Sequence, residues 1–176
     1  MKFPKKKINN VKNFYQEYTN ILTDVLQSLN LKNLSKFSNE LEKKILTNKN
    51  IFVCGNGGSA AIANHLVCDY IKLLRKNTKL KPRVISLSTS IELITAISND
   101  FSYDKIFSEQ LSYLANKGDL LILISSSGNS KNIINALRFC KKNKIKTVGL
   151  SGFKGGYLSK NADISLHYNC ENYGIS

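Results

Sequence analysis

Apolar residues first recur in steps of three and four, at Val11, Phe14, Tyr15, Tyr18, Ile21, Leu22, Val25, Leu26 and Leu29. That spacing lays a wide apolar stripe along one long amphipathic helix over residues 11–29. A stripe placed ahead of any strand is expected to cover its own domain or the same helix of another subunit. A second helix is expected over 35–46, with Ser35 as its cap and Phe37, Leu41 and Ile45 turned inward. The period then changes. Ile51-Phe52-Val53-Cys54 is an unbroken run of β-branched, aromatic and small apolar residues, so a buried strand should end at Gly55.

Strands and helices alternate beyond that point. Ala-rich sequence from Ser59 predicts a helix over 59–74, followed by a Lys-rich link over 75–81. Pro82 opens a strand over 83–87, Ser88-Thr89-Ser90 cap a short helix to Ile97, and 98–101 reads as a polar loop. A helix over 103–115 should bury Ile106, Leu111 and Leu114. Leu120-Leu121-Ile122-Leu123-Ile124 has the continuous apolar character of a central parallel strand. A helix over 132–142, a strand over 146–150, a loop over 151–156, a helical turn over 157–160 and a strand over 163–168 complete the rhythm. Such strands joined by helices mean an α/β fold, a parallel sheet covered on both faces through right-handed crossovers. One domain over 1–176 is expected, with N-terminal helices over 1–47 serving as oligomer contacts and an α/β core over 48–170.

Composition narrows the picture further. A chain of 176 residues that is 42% hydrophobic suits a globular fold with a real core and excludes a disordered one. No apolar run nears the roughly 20 residues of a bilayer span. The basic start, Met1-Lys2-Phe3-Pro4-Lys5-Lys6-Lys7, leads into amphipathic sequence instead of a signal core, so a cytoplasmic address and no membrane partner are expected. A formal net charge of +14 raises the question of nucleic acid. The lysines are scattered, however, over 5–7, 43–44, 72–81 and 141–146, with no aromatic interleaving and no reading-head motif. No nucleic-acid partner is expected, and a basic surface suits anionic sugar phosphates. Cys54, Cys68, Cys140 and Cys170 form no Cys-x-x-Cys pair, and they read as buried, reduced thiols.

Ligands of open parallel sheets bind beyond the carboxyl ends of the strands. Three polar turns fall there, at 55–59, 88–90 and 125–130. In the first, Gly55-Asn56-Gly57-Gly58-Ser59 passes from strand to helix, where free backbone N–H groups and the positive dipole end favour an anion. In the last, Ser125-Ser126-Ser127-Gly128-Asn129-Ser130 offers four hydroxyls, where capping a helix needs only one. Hydroxyls and amides together can surround phosphate oxygens without a Lys or Mg²⁺. Gly-x-Gly-x-x-Gly is missing after the first strand and Gly-Lys-Ser/Thr is missing throughout, which argues for a small monophosphate and no nucleotide cofactor. His65 and Asp69, four residues apart, share one face of the helix that follows the first turn. His167 lies outside any motif and reads as structural.

Gly55-Asn56-Gly57-Gly58-Ser59 with His65, Asn99-Asp100, and Ser125-Ser126-Ser127-Gly128-Asn129-Ser130 together resemble the sugar isomerase (SIS) family, in its phosphoheptose isomerase branch. The likeness runs from the N-terminal helix to Tyr173. It implies a three-layer α/β/α sandwich on a five-stranded parallel sheet, and a homotetramer or dimer with active sites shared between subunits. It further implies an aldose–ketose isomerase that converts sedoheptulose 7-phosphate to D-glycero-D-manno-heptose 7-phosphate through an enediol, for bacterial lipopolysaccharide or capsule. By the same resemblance His65 and Asp69 are catalytic acid–base residues or ligands of a zinc ion. Asn56, Gly57, Gly58, Ser59, Asn99, Asp100, Ser125, Ser126, Ser127 and Ser130 are implied as sugar-phosphate contacts.

Two departures accompany the likeness. Asp69 stands where the family carries Glu, one methylene or roughly 1.5 Å longer. The family also runs on into a long helix bearing Gln or Glu and a second His. Without that helix, the stretch to Ser176 is expected to lack a second acid–base residue and part of a metal site, and to be inactive alone. The alternative expectation is a non-catalytic SIS protein that binds a sugar phosphate or a partner protein, as the family's activator of replication initiation does. A third is another sugar-phosphate isomerase or lyase on the same cradle.

Overall fold

The computed structural model describes residues 2–4 and 7–175; Met1, Lys5 and Lys6 of the basic start and Ser176 lie outside the described residues. Two helices, α1 (Val11–Gln27) and α2 (Leu31–Leu46), precede the first strand, β1 (Asn50–Gly55). Helix α3 (Gly58–Cys68) continues through a π-helical segment, Asp69–Leu74, into a last turn, α4 (Arg75–Asn77). Then come β2 (Arg83–Ser86), α5 (Ile91–Asp100), a 3₁₀ turn at Tyr103–Lys105, and α6 (Ile106–Leu114). The chain ends with β3 (Leu120–Ile124), α7 (Lys131–Lys142), β4 (Lys146–Ser151), α8 (Gly156–Asn161) and β5 (Ile164–His167).

The five strands are all parallel, in the order β2-β1-β3-β4-β5. Every residue of β3 is buried, as its apolar run predicts for a central strand. Alternation along the strands divides the core in two. Phe52, Cys54, Leu121 and Leu123 face α5 to α8, while Ile51, Val53, Leu120 and Ile122 face α2 and α3. This is the expected three-layer sandwich. From β1 the chain steps to β2 on one side and later to β3 on the other, so the switch of direction lies between β1 and β3. The two strands stay paired to Gly55 and Ile124, and the connections beyond them run to α3 on one face and α7 on the other, leaving a crevice.

Several local expectations need correction. Helix α2 starts at Leu31, because Asn30 supplies the cap: its Oδ1 accepts from the Asn33 amide at 3.1 Å. Ser35 lies inside the helix and its hydroxyl donates to the Leu31 carbonyl. Residues 98–100 close α5 instead of forming a loop, since burial of Ile97 holds that turn and the Phe101 amide donates to the Ile97 carbonyl. Leu114 is exposed; Phe107 and Gln110 join Ile106 and Leu111 on the buried face of α6. Cys68 is exposed, while Cys54, Cys140 and Cys170 are buried and all four are free thiols. Burial pushes the Cys54 thiol upward and, helped by the Asp163 carboxylate, pushes Cys140 up to about 12. Helix α1 buries only Val25 and leaves Val11, Tyr15 and Leu26 in solvent. Among the described residues, no helix is long and apolar enough to cross a membrane.

Candidate active site

The crevice is built from two strand-to-helix junctions. At the first, Ser88 ties down the end of β1: its hydroxyl donates to the Gly55 carbonyl at 2.9 Å and accepts from the Gly55 amide at 3.2 Å. A side chain at Gly55 would stand 2.6 Å from the backbone of Ser59, so α3 can start this close only above a glycine. Gly57 caps α3 with φ 54° and no side chain, which leaves nothing to block the helix end. Among the described residues, the Gly57 and Gly58 amides have no hydrogen-bond partner.

The second junction follows β3. Gly128 sits at φ 67°, with its amide on the Ser125 hydroxyl at 3.2 Å and its carbonyl taking the Leu158 amide at 2.9 Å. The Asn129 carboxamide accepts from the Tyr157 amide at 2.9 Å, so the turn is seated on the start of α8. Ser130 occupies the cap position of α7 but makes no capping bond; its hydroxyl lies 3.4 Å from that of Ser125. Among the described residues, the backbone amides of Ser126, Ser127, Ser130 and Lys131 also lack partners.

The two junctions meet. Asn56 and Ser59 from one side, and Ser125, Ser126, Ser127 and Ser130 from the other, wall a polar cavity of about 130 Å³. Ile124 forms part of its wall, and Tyr173 lines it too, with its ring against Phe153 at 4.8 Å between centroids. Ser59 in the first turn of α3, the start of α7 and the serines of one loop therefore border a common space, which is an arrangement for an anion.

Not every candidate residue reaches that space. Gly57 and Gly58 are exposed at the start of α3. Asn99 and Asp100 sit exposed in the last turn of α5, where the Asn99 carboxamide donates to the Asp100 carboxylate at 3.0 Å. The 88–90 turn is taken up by structure: Ser88 holds Gly55, and Ser90 caps α5 by accepting from the Leu93 amide at 3.3 Å. His65 and Asp69 do come together, Nε2 to Oδ2 at 3.4 Å, but their side chains are 76% and 44% exposed. They lie on the face of α3 opposite the one that packs Ala63 on the sheet. His167 holds Ser151, with Nδ1 3.1 Å from its hydroxyl, as a structural contact.

Three residues outside the motifs complete the surroundings. Asn132, only 2% exposed, exchanges hydrogen bonds with Asn56 in both directions at 2.9 Å. Tyr103 donates its hydroxyl to the Asn56 carboxamide oxygen at 3.0 Å. Tyr173 is the third. A buried amide in the first turn of a helix looks in sequence like an ordinary solvated start, and only the need of Asn56 for a partner hints otherwise.

The model of the SIS domain family matches residues 13–152. The chain belongs to the SIS domain family. Within it, a phosphoheptose isomerase of Aliarcobacter butzleri is 42% identical over 76% of this chain and 70% of its own length. One from Campylobacter concisus is 42% identical over 67% of this chain, which spans 62% of that relative. Among solved structures, phosphoheptose isomerase from Neisseria gonorrhoeae superposes with a TM-score of 0.82 at 27% identity, over 94% of this chain and 88% of that one. This SIS protein thus sits among the phosphoheptose isomerases, which are aldose–ketose isomerases.

Proposed function

We propose that the cavity between α3 and α7 holds the phosphate of sedoheptulose 7-phosphate, and that the protein isomerises it to D-glycero-D-manno-heptose 7-phosphate through an enediol. One observation carries this reading: Ser59 in the first turn of α3 and Ser130 at the start of α7, whose own amide is free among the described residues, wall one polar cavity together with Ser125, Ser126 and Ser127. Asn56, Ser59, Ser125, Ser126, Ser127 and Ser130 are the proposed phosphate contacts; Gly57 and Gly58, outside the cavity wall, are proposed to meet the substrate only through their free amides beside it. Asn99 and Asp100 serve the sugar from outside the cavity wall. Fixed donors of this kind stabilise an anion without reorganising.

Moving a proton between C1 and C2 needs a group to take it and a group to return it. His65 is the proposed acid–base residue, and Asp69 orients its ring. Because that pair faces solvent, its proposed substrate is the one bound by a second copy, in a homotetramer or dimer that closes over the exposed stripe of α1. His65 and Asp69 are also the implied zinc ligands. Zinc takes at least three protein donors in most sites, and no group of three His, Cys, Asp or Glu occurs among the described residues, so one chain's described residues do not make the site. The proposed setting is the cytoplasm, where a phosphorylated heptose feeds lipopolysaccharide or capsule.

The test is direct. The full-length protein is given sedoheptulose 7-phosphate in D₂O, and the aldose product and its deuterium are followed by proton NMR. Turnover with label at C2 is expected. Tight binding without turnover would instead support a non-catalytic sugar-phosphate sensor, a reading favoured by His65 being exposed and outside the cavity wall.

A further inference from the structure

The two cavity junctions are joined by a single buried amide pair. The Asn132 Oδ1 accepts from the backbone amide of Ile133 at 2.9 Å, and a backbone amide can only donate. That bond fixes which end of the Asn132 carboxamide is oxygen. Its Nδ2 must then face the Asn56 Oδ1, and the Asn56 Nδ2 must face the Asn132 Oδ1, both at 2.9 Å. Tyr103 adds a second donor to the same Asn56 oxygen. Asn56 is left with its oxygen occupied twice and with one N–H that has no partner among the described residues, on a side chain that lines the cavity.

From this chain of bonds we infer that Asn132 is a positioning residue: it locks the Asn56 carboxamide with its spare N–H toward the cavity, so the site presents a donor and selects a ligand oxygen that only accepts, such as a phosphate dianion. This rests on the phosphate reading of the cavity given above. The same pair bridges β1 to α7 and so sets the spacing of the two helix N-termini. Without it Asn56 keeps only the Tyr103 hydroxyl, which can donate to its oxygen or accept from its Nδ2 and so no longer fixes which end faces the cavity.

The experiment measures binding of inorganic phosphate and of sedoheptulose 7-phosphate by calorimetry to the full chain, Asn132→Ala, Asn56→Ala and the double variant. A charge-assisted bond is involved, so each single variant should bind roughly 10- to 100-fold more weakly. The double variant should be no weaker than Asn56→Ala alone, because Asn132 acts through Asn56. Additive losses, or unchanged affinity in a folded Asn132→Ala protein, overturn the inference while leaving the phosphate reading intact. Failure of the unmodified chain to bind either ligand overturns both. Should Asn132→Ala not fold, phosphate titration of the unmodified chain followed by side-chain amide NMR decides the matter: one Asn56 Nδ2 proton must shift strongly and both Asn132 protons must hold, and the converse refutes it.

Discussion

Gly128→Ala puts the architecture of the turn proposed to hold phosphate to a quantitative test. Gly128 lies at φ 67°, and a Cβ there would overlap the carbonyl oxygen of Gly155, a backbone atom that cannot swing aside. The left-handed conformation costs an L-residue about 1–2 kcal/mol. Forcing the 155–156 turn away adds about 1–3 kcal/mol, the usual cost of overpacking. The sum is about 2–5 kcal/mol, which for a chain of this length lowers Tm by roughly 5–15 °C. The turn cannot move alone, since the Gly128 amide holds the Ser125 hydroxyl and its carbonyl holds Leu158. Phosphate affinity should therefore fall with stability. Gly58→Ala is the contrast: a Cβ there meets nothing within 4 Å, and alanine gains up to about 1 kcal/mol of helix propensity. Differential scanning calorimetry on both variants makes the comparison. A Gly128→Ala protein that melts within a few degrees of the native chain and keeps its phosphate affinity refutes the packing argument.

The remaining predictions separate binding from stability. Ser130→Ala should leave Tm nearly unchanged, because its hydroxyl caps nothing, yet weaken sugar-phosphate binding about tenfold; Ser90→Ala, which removes a real cap, should cost about 1 kcal/mol of stability and no affinity. His65→Ala should abolish turnover while thermal melting stays put, since the side chain is exposed and its one ion pair is a surface pair. The Cys140 thiol, held up to about 12 against 9.0 when unfolded, keeps its proton in the fold after the unfolded chain has lost it. Its contribution is thus full below pH 9 and is lost between pH 9 and 12, by up to about 1.4 kcal/mol per pH unit, and urea titrations should show Cys140→Ala flattening that decline. At pH 8 a thiol reagent should label Cys68 in the native protein and reach Cys54 and Cys140 only on unfolding.

Elements whose local pattern agrees with their burial were legible in the sequence. Leu120 to Ile124 has only one reading, and the strand has those bounds. Ser98-Asn99-Asp100 misled because polar residues favour turns in isolation, whereas Ile97 anchors their helix from one turn back. The cavity was legible where its lining residues lie close together in the chain, as Ser125, Ser126, Ser127 and Ser130 do. It was not legible where a partner comes from another element, as Asn132 does for Asn56, because no spacing rule links residues 76 positions apart. The four-residue step from His65 to Asp69 correctly paired them but carried no information on which side of α3 would meet the sheet.

Helix α3 packs on one face of the sheet and α7 on the other, each in its own core, and the cavity touches the start of both. A ligand seated there is a rivet through the sandwich, and its binding free energy is shared by two cores that have the sheet between them. Hydrogen exchange should register this: amides in the two helical layers slow together as phosphate is added, in step with occupancy.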